Sequence, residues 1–525
     1  MIEWGFLGGS EKEIVMIFEP FDKNNENSSW KMKRSQRLQG RQLTHRATKS
    51  GRALREAEKN PATYSAFYRM VWRWHFYAGL FCAPFIFILC LSGSIYLFKP
   101  QIDAYLDRAY DHLALSGEVK SLDEQVAAAV LSQPSARLKS LEIRDDPADA
   151  ARVQFIKSDG EALRVLVKPD TLEILKTEPE KSRFTSIIHD LHGELLVGTY
   201  GAILVELAGV WAIIMILTGL YLWWPNPEDG FAGVVYPRLS VKGRTFLKDL
   251  HSVTGFWISF FALFFLISAL PWTTLWGGGL KYLRSYGQAV PAKQEWTTGP
   301  ASAQMKQQEM FKEAAPSIAF PSDEHQEHQG HLMSNHGSSS GPKGFDRLAP
   351  IATAMKLESP VFLSPPSAAS PNWKLQSDTQ NRPQRKTIEF DPKTFRQISE
   401  KSFSDRALLD RIIGVGIAAH EGQLFGAPNQ ILGLMTAIGY LVLVVTSIVM
   451  WWRRRPEGLL GAPAKVMPAR KTPRNFIVVA VILSILLPTL GASLLLILTF
   501  EFLIRRYSPQ ATRWLGLEPF LGQQA

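Results

Sequence analysis

Four histidines are spaced so that they could share a metal-bound cofactor. His75 and His251 each open a long apolar run, and His192 and His420 each precede another. Imidazole is a common axial ligand of haem iron, and two histidines from different helices of a bundle close both axial positions. His75 with His251, and His192 with His420, would therefore hold two b-type haems as bis-histidine sites. Gly79 and Gly255 lie one turn beyond the first pair, where a missing side chain admits a flat macrocycle. His189, one turn before His192, is an alternative ligand or a hydrogen-bonding support for one. Covalent c-type attachment is excluded, because the chain has no Cys-x-x-Cys-His and its only cysteines, Cys82 and Cys90, stand inside one apolar run.

Other chemistry is sparse. Arg73, Arg244 and Lys248 suit haem propionates but equally suit a basic collar at a membrane face, and Trp272 and Trp276 suit an aromatic ligand or an interfacial belt. The run from His325 through His328 and His331 to His336 would bind Cu, Zn or Ni weakly and is expected to be a loop without a dedicated metal site. Gly414-Val-Gly416-Ile-Ala-Ala419 fits a loose dinucleotide pattern without the βαβ unit that such a site needs. With no nucleotide, zinc-protease or serine-hydrolase motif, the chain has no evident way to take electrons from NAD(P)H, so a reductase would need an unidentified cytoplasmic electron donor or a quinol.

Positioning these histidines falls to membrane helices. Mean hydropathy over the 525 residues is near zero, yet the apolar residues cluster in five runs. These are Phe76 to Phe98, Ala202 to Trp224, Ser252 to Trp272, Ile431 to Trp452 and Phe476 to Ile504. Each suffices for a bilayer core of about 30 Å, which takes roughly 20 helical residues. The fifth is over-long and contains Pro488, so a tilt or kink is expected. The net charge of +10 gathers beside particular span ends, which argues for membrane topology and against nucleic acid. The expected protein is multipass in the lipid bilayer of a bacterial inner membrane, with a cytoplasmic N-terminus.

The expected order is a disordered basic cytoplasmic tail (1–60), a first span (68–98), a periplasmic domain (99–190) and a second span (191–224). A cytoplasmic loop (225–250), a third span (251–272) and a second periplasmic domain (273–419) follow, the last with a flexible insertion at 291–371. A fourth span (420–452), a loop (453–475), a fifth span (476–504) and a tail (505–525) complete it. This is one plan repeated: span, outer domain, span. His75-Phe-Tyr-Ala-Gly79 matches His251-Ser-Val-Thr-Gly255; His192-Gly-Glu-Leu-Leu196-Val-Gly198 and His420-Glu-Gly-Gln-Leu424-Phe-Gly426 share His-x-x-x-Leu-x-Gly; Trp223-Trp224 matches Trp451-Trp452. By this repeat His75 and His251 fall at the cytoplasmic face, and His192 and His420 at the outer face. Each outer domain ends in strand, Pro-containing turn and strand, at Arg164 to Leu172 and Thr387 to Phe395. In the first, Leu122 to Leu131 reads as helix and Ala151 to Ile156 as strand, so a small α+β domain is expected there.

These landmarks resemble the PepSY-associated transmembrane protein family. The resemblance rests on Trp72-Arg73-Trp74-His75-Phe-Tyr-Ala-Gly79-Leu, Ser92-Gly93-x-x-Tyr96-Leu-Phe98-Lys-Pro100, His189-Asp-Leu-His192-Gly193 and Gly219-Leu-Tyr-Leu-Trp223-Trp224-Pro225. It implies a membrane α-helical fold of about five transmembrane helices, built from two span-domain-span repeats with two α+β PepSY-like periplasmic domains. The family is often linked to iron acquisition, and some members are similar to inner-membrane ferric-siderophore reductases that carry two b-type haems. The expected function is thus a haem-containing reductase that passes electrons outward to ferric iron in a siderophore or other ferric chelate. The runner-up is a non-enzymatic membrane protein whose PepSY domains bind a peptide, protease or metal complex.

Overall fold

The computed structural model describes residues 61–225, 230–286, 296–314, 343–367, 370–463 and 474–517, with side chains from Phe67 onward. The basic tail at 1–60 and the histidine run His325 to His336 lie outside the described residues. In chain order, α1 (Pro61–Tyr96) is followed by α2 (Lys99–Asp107), α3 (Leu122–Ser132), β1 (Arg137–Ile143), β2 (Ala151–Ile156), β3 (Ala162–Val167) and β4 (Ile174–Pro179). Next come α4 (Phe184–Glu194), α5 (Gly198–Trp223), α6 (Gly243–Ala269), α7 (Leu275–Ser285) and α8 (Gly299–Glu313). Then α9 (Phe345–Ala354), β5 (Val361–Ser364), β6 (Trp373–Ser377), β7 (Lys386–Phe390) and β8 (Gln397–Ser402) lead to α10 (Leu408–His420) and α11 (Ala427–Arg454). Last are α12 (Arg474–Leu486), α13 (Pro488–Tyr507) and α14 (Pro509–Trp514).

Among the described residues, five helices are long and apolar enough to cross a membrane: Phe67–Tyr96 within α1, then α5, Gly243–Trp272 comprising α6 and its following turn, α11 and α13. Both long segments between spans contain helix and strands, and the helix at Leu122–Ser132 and strand at Ala151–Ile156 fall where the residue pattern puts them. Three details differ from the sequence reading. The insertion at 291–371 contains α8, α9 and β5, because apolar Phe345, Leu348, Ala352 and Leu363 are needed in the core. The run at 476–504 is broken into α12 and α13, since Pro488 cannot donate within a helix and so begins a new one.

The third difference is larger. The strand-rich segments are not two separate domains but form one eight-stranded antiparallel sheet, in the order β4-β3-β2-β1-β5-β6-β7-β8. Each segment alone would leave an open edge at β1 or β5, a row of unpaired backbone groups. Pairing closes both edges, with Leu141 opposite Leu363 and Ile143 opposite Val361. The two helices on the sheet also cap one another. The Asp123 carboxylate accepts the Gly344 and Phe345 amides at the start of α9, and Asp346 accepts the Leu122 amide at the start of α3 at 2.7 Å. Between helices and sheet lies one core that includes Val126, Val153, Phe155, Phe345, Leu363 and Trp373.

A buried ionic cluster ties this sheet to the helix leaving the first span. Arg164 on β3 donates two bonds of 2.8 Å to Asp107 in α2, and Arg183 donates to Asp107 and Glu178 at 3.1 Å. The bidentate fork fixes geometry as well as charge.

Candidate functional site

His75 and His251 lie well inside their helices, one on α1 and one on α6, and their rings face each other. The ring centroids are 6.5 Å apart and the planes are nearly perpendicular, at 89°. Two imidazoles bound to one metal through nitrogen bonds of about 2 Å would place their centroids on the order of 6 Å apart.

His192 and His420 occupy the last turns of α4 and α10, the short helices that return to the spans. The shared His-x-x-x-Leu-x-Gly pattern has a conformational reason. Gly198 (φ 64°) and Gly426 (φ 63°) stand where short helix gives way to span, in the left-handed region that glycine enters without a Cβ penalty. The two imidazoles are near enough for the charge on one to act on the other. Apolar surroundings press both below the ordinary histidine range, to about 4 for His192 and about 3 for His420, although part of each ring remains accessible. The charge of His189 adds to the effect on His192, and that of His192 to the effect on His420. Both are therefore neutral near pH 7, with a lone pair free to bind a metal.

Every one of the four rings is held in the same way. The Nδ1 atoms of His75, His251, His192 and His420 lie 3.0, 3.1, 3.1 and 3.0 Å from the hydroxyls of Thr218, Thr446, Ser92 and Ser268 respectively. Each hydroxyl donates to a carbonyl of its own helix: Thr218 to Ile214, Thr446 to Val442, Ser92 to Ile88 and Ser268 to Phe265. Its oxygen is left to accept, so Nδ1 carries the hydrogen and Nε2 the lone pair. Four Nδ1–H imidazoles, two at each end of the bundle, form a donor set that fits bis-histidine haem.

The hydroxyls stand at matching offsets from the histidines, a signal that sequence reasoning missed. Seventeen residues separate His75 from Ser92 and, again, His251 from Ser268; twenty-six separate His192 from Thr218 and, again, His420 from Thr446. Seventeen helical residues span about 25 Å, so the two histidine pairs stand near opposite ends of the bundle.

Room for the imidazoles themselves comes from two other glycines. A Cβ on Gly79 or Gly255 would meet only Met215 or Leu443, at 3.7 Å. A Cβ on Gly219 would sit 3.2 Å from His75 Cε1, and one on Gly93 would sit 3.0 Å from His192 Cε1. These two positions admit the ligand rings, because a methyl group there would press on the imidazole edge.

His189 is placed otherwise. Its ring bonds Asp190 at 3.2 Å and packs 5.4 Å from Tyr96, and its repeat counterpart is the buried Ile417. Trp272 lies 5.2 Å from the His420 ring, whereas Trp276 donates to the Leu486 carbonyl. Arg73 is engaged by Tyr77 and the carbonyls of Pro463 and Gly516, which accounts for it without a propionate. Gly414 belongs to α10, where a Cβ would come within 2.6 Å of Phe403, so close helix packing explains it. A group of metal-capable side chains at His112, Asp146 and Asp149 is already an ion-pair cluster, with Arg144 2.8 Å from Asp149.

Comparison with known proteins agrees with this architecture. A family model described as PepSY-associated TM region matches residues 72–454. No curated protein matches the chain.

Proposed function

Since the chain belongs to the PepSY-associated transmembrane family, we propose that it is a haem-containing inner-membrane reductase that passes electrons across the membrane to ferric iron, held in a siderophore or other ferric chelate, for iron uptake. The observation that carries this reading is the quartet of imidazoles, each with Nδ1 against a hydroxyl, in which His75 and His251 face each other while His192 and His420 stand towards the other end of the bundle. His75 and His251 would hold the haem at the cytoplasmic end, and His192 and His420 the haem nearer the sheet. Bound there, haem supplies one-electron chemistry. The residues around it keep the ligands neutral, fix their orientation and exclude water with apolar side chains such as Ala78, Cys82, Val210, Trp211 and Val444.

One electron converts one ferric ion to ferrous, and a cytoplasmic reductant or quinol must supply it. Ferrous iron is less highly charged and softer, so oxygen-rich chelators hold it less tightly. The strand-rich part follows the first and third spans in sequence, which makes it the natural place for the chelate to dock at the periplasmic end.

Purified protein from haem-sufficient cells is expected to be red, with b-type absorption that shifts on dithionite. His192→Ala and His420→Ala should each remove the same one of two haems, and His75→Ala and His251→Ala the other. Stopped-flow oxidation of the reduced protein by ferric chelates tests the substrate. Colourless protein would sink the reductase reading and favour a non-enzymatic protein that binds a peptide, protease or metal complex.

A further inference from the structure

The hydroxyl partners have a role of their own. A serine or threonine in a membrane helix commonly bonds back to its own helix, and nothing in that habit requires a histidine on the neighbouring helix. Here four such hydroxyls each meet a different histidine at 3.0 to 3.1 Å, always through Nδ1. The arrangement is also reciprocal within each repeat. α1 carries the ligand His75 and the support Ser92, while the segment comprising α4 and α5 carries the ligand His192 and the support Thr218. In the second repeat α6 carries His251 and Ser268, and α10 and α11 carry His420 and Thr446.

We propose that Thr218, Thr446, Ser92 and Ser268 are positioning residues that hold the four imidazoles as Nδ1–H tautomers with Nε2 presented to the metal. This rests on the two-haem reading. Partners that hydrogen-bond the far nitrogen of a ligating histidine fix its tautomer and raise its basicity, and losing one typically costs 10- to 100-fold in metal affinity. A hydroxyl is a neutral acceptor, unlike the carboxylate found behind many ligating histidines, so it leaves the ligand an imidazole and does not draw it towards imidazolate. Threonine serves the pair at one end and serine the pair at the other, which lets each site be addressed by its own substitutions.

The test uses full-length protein in detergent and reads haem content, the electron paramagnetic resonance of the ferric protein and a redox titration. Thr218→Val and Thr446→Val should change the same ferric signal and weaken retention of the same haem about tenfold. Ser92→Ala and Ser268→Ala should act alike on the other. The affected midpoint should rise, by up to a tenfold change in ferrous-to-ferric preference or about 59 mV, because a ligand without its acceptor stabilises ferric iron less. Thr218→Ser and Thr446→Ser keep the oxygen and should behave as wild type. If a valine variant does not fold, Thr218→Ala or Thr446→Ala removes the same acceptor with less bulk. Red wild-type protein whose four hydroxyl variants keep both signals and both midpoints would overturn the positioning role and leave the haem reading intact. So would Thr218→Val and Thr446→Val acting on different haems. Colourless wild-type protein would overturn both.

Discussion

On the proposed reading each ligating imidazole has two freedoms to lose, its ring rotation and its tautomer, and groups that are easy to overlook would remove both. The hydroxyl would settle the tautomer, and a missing Cβ leaves room for the ring. Gly93 and Gly219 are therefore sensitive positions. Gly93→Ala would bring a methyl group 3.0 Å from His192 Cε1, and Gly219→Ala would bring one 3.2 Å from His75 Cε1. Each variant should lose about tenfold in retention of one haem, a different one in each case, while the fold is kept. Gly193→Ala serves as the control, because its Cβ would meet no atom within 4 Å. Equal haem content in Gly93→Ala and Gly193→Ala would refute this role for Gly93.

At the scale of elements, the histidines depend on junctions. α4 and α10 are separate helices from the spans they precede, and the left-handed glycines at 198 and 426 set the angle at which each presents its histidine. An L-residue in that conformation costs roughly 1–2 kcal/mol. Gly198→Ala should accordingly lower the thermal midpoint and loosen the haem bound by His192, whereas the same change at Gly193, within a helix, should do neither. The sheet meets the membrane part through Arg164 and Asp107, both buried, and the partly buried Arg183. Removing one member leaves buried charge uncompensated, so Arg164→Leu should destabilise the protein by about 3–5 kcal/mol. Denaturant unfolding followed by near-ultraviolet circular dichroism measures this, and a loss under about 1 kcal/mol would contradict it.

At the scale of the whole molecule, the hydrogen bonds and the ligand pairs run in different directions. Each histidine is tied to a hydroxyl of its own half of the chain, while each proposed haem pair would take one histidine from each half. Haem bound at both ends would thus staple together two halves that also share the β1–β5 seam and the exchanged caps of Asp123 and Asp346. A ligand at a thousand times its dissociation constant stabilises the state that binds it by about 4 kcal/mol. Protein from haem-deficient cells should unfold at a lower temperature than protein from haem-sufficient cells. Identical midpoints for red and colourless preparations would show that the cofactor does not join the halves.

By itself the sequence determined the apolar helices, the family, a helix over Leu122 to Leu131, the strand at Ala151–Ile156 and the matching spacing of four histidines along the chain. Each of these is written in local terms: apolar length, residue periodicity, or a motif that recurs along the chain. Tertiary structure alone decided that two strand-rich segments share one sheet, because edge pairing between β1 and β5 joins residues some two hundred positions apart and leaves no periodic trace. It also decided which glycines and hydroxyls serve the histidines. The clearance an imidazole needs is set by the helix across from it, and there the residues are Gly219 and Thr218 beside His75. The constant spacings of Ser92 from His75 and of Ser268 from His251 were present in the chain throughout. Nothing local distinguished those serines from any other membrane-helix hydroxyl until the helices packed and brought each within 3.1 Å of an imidazole.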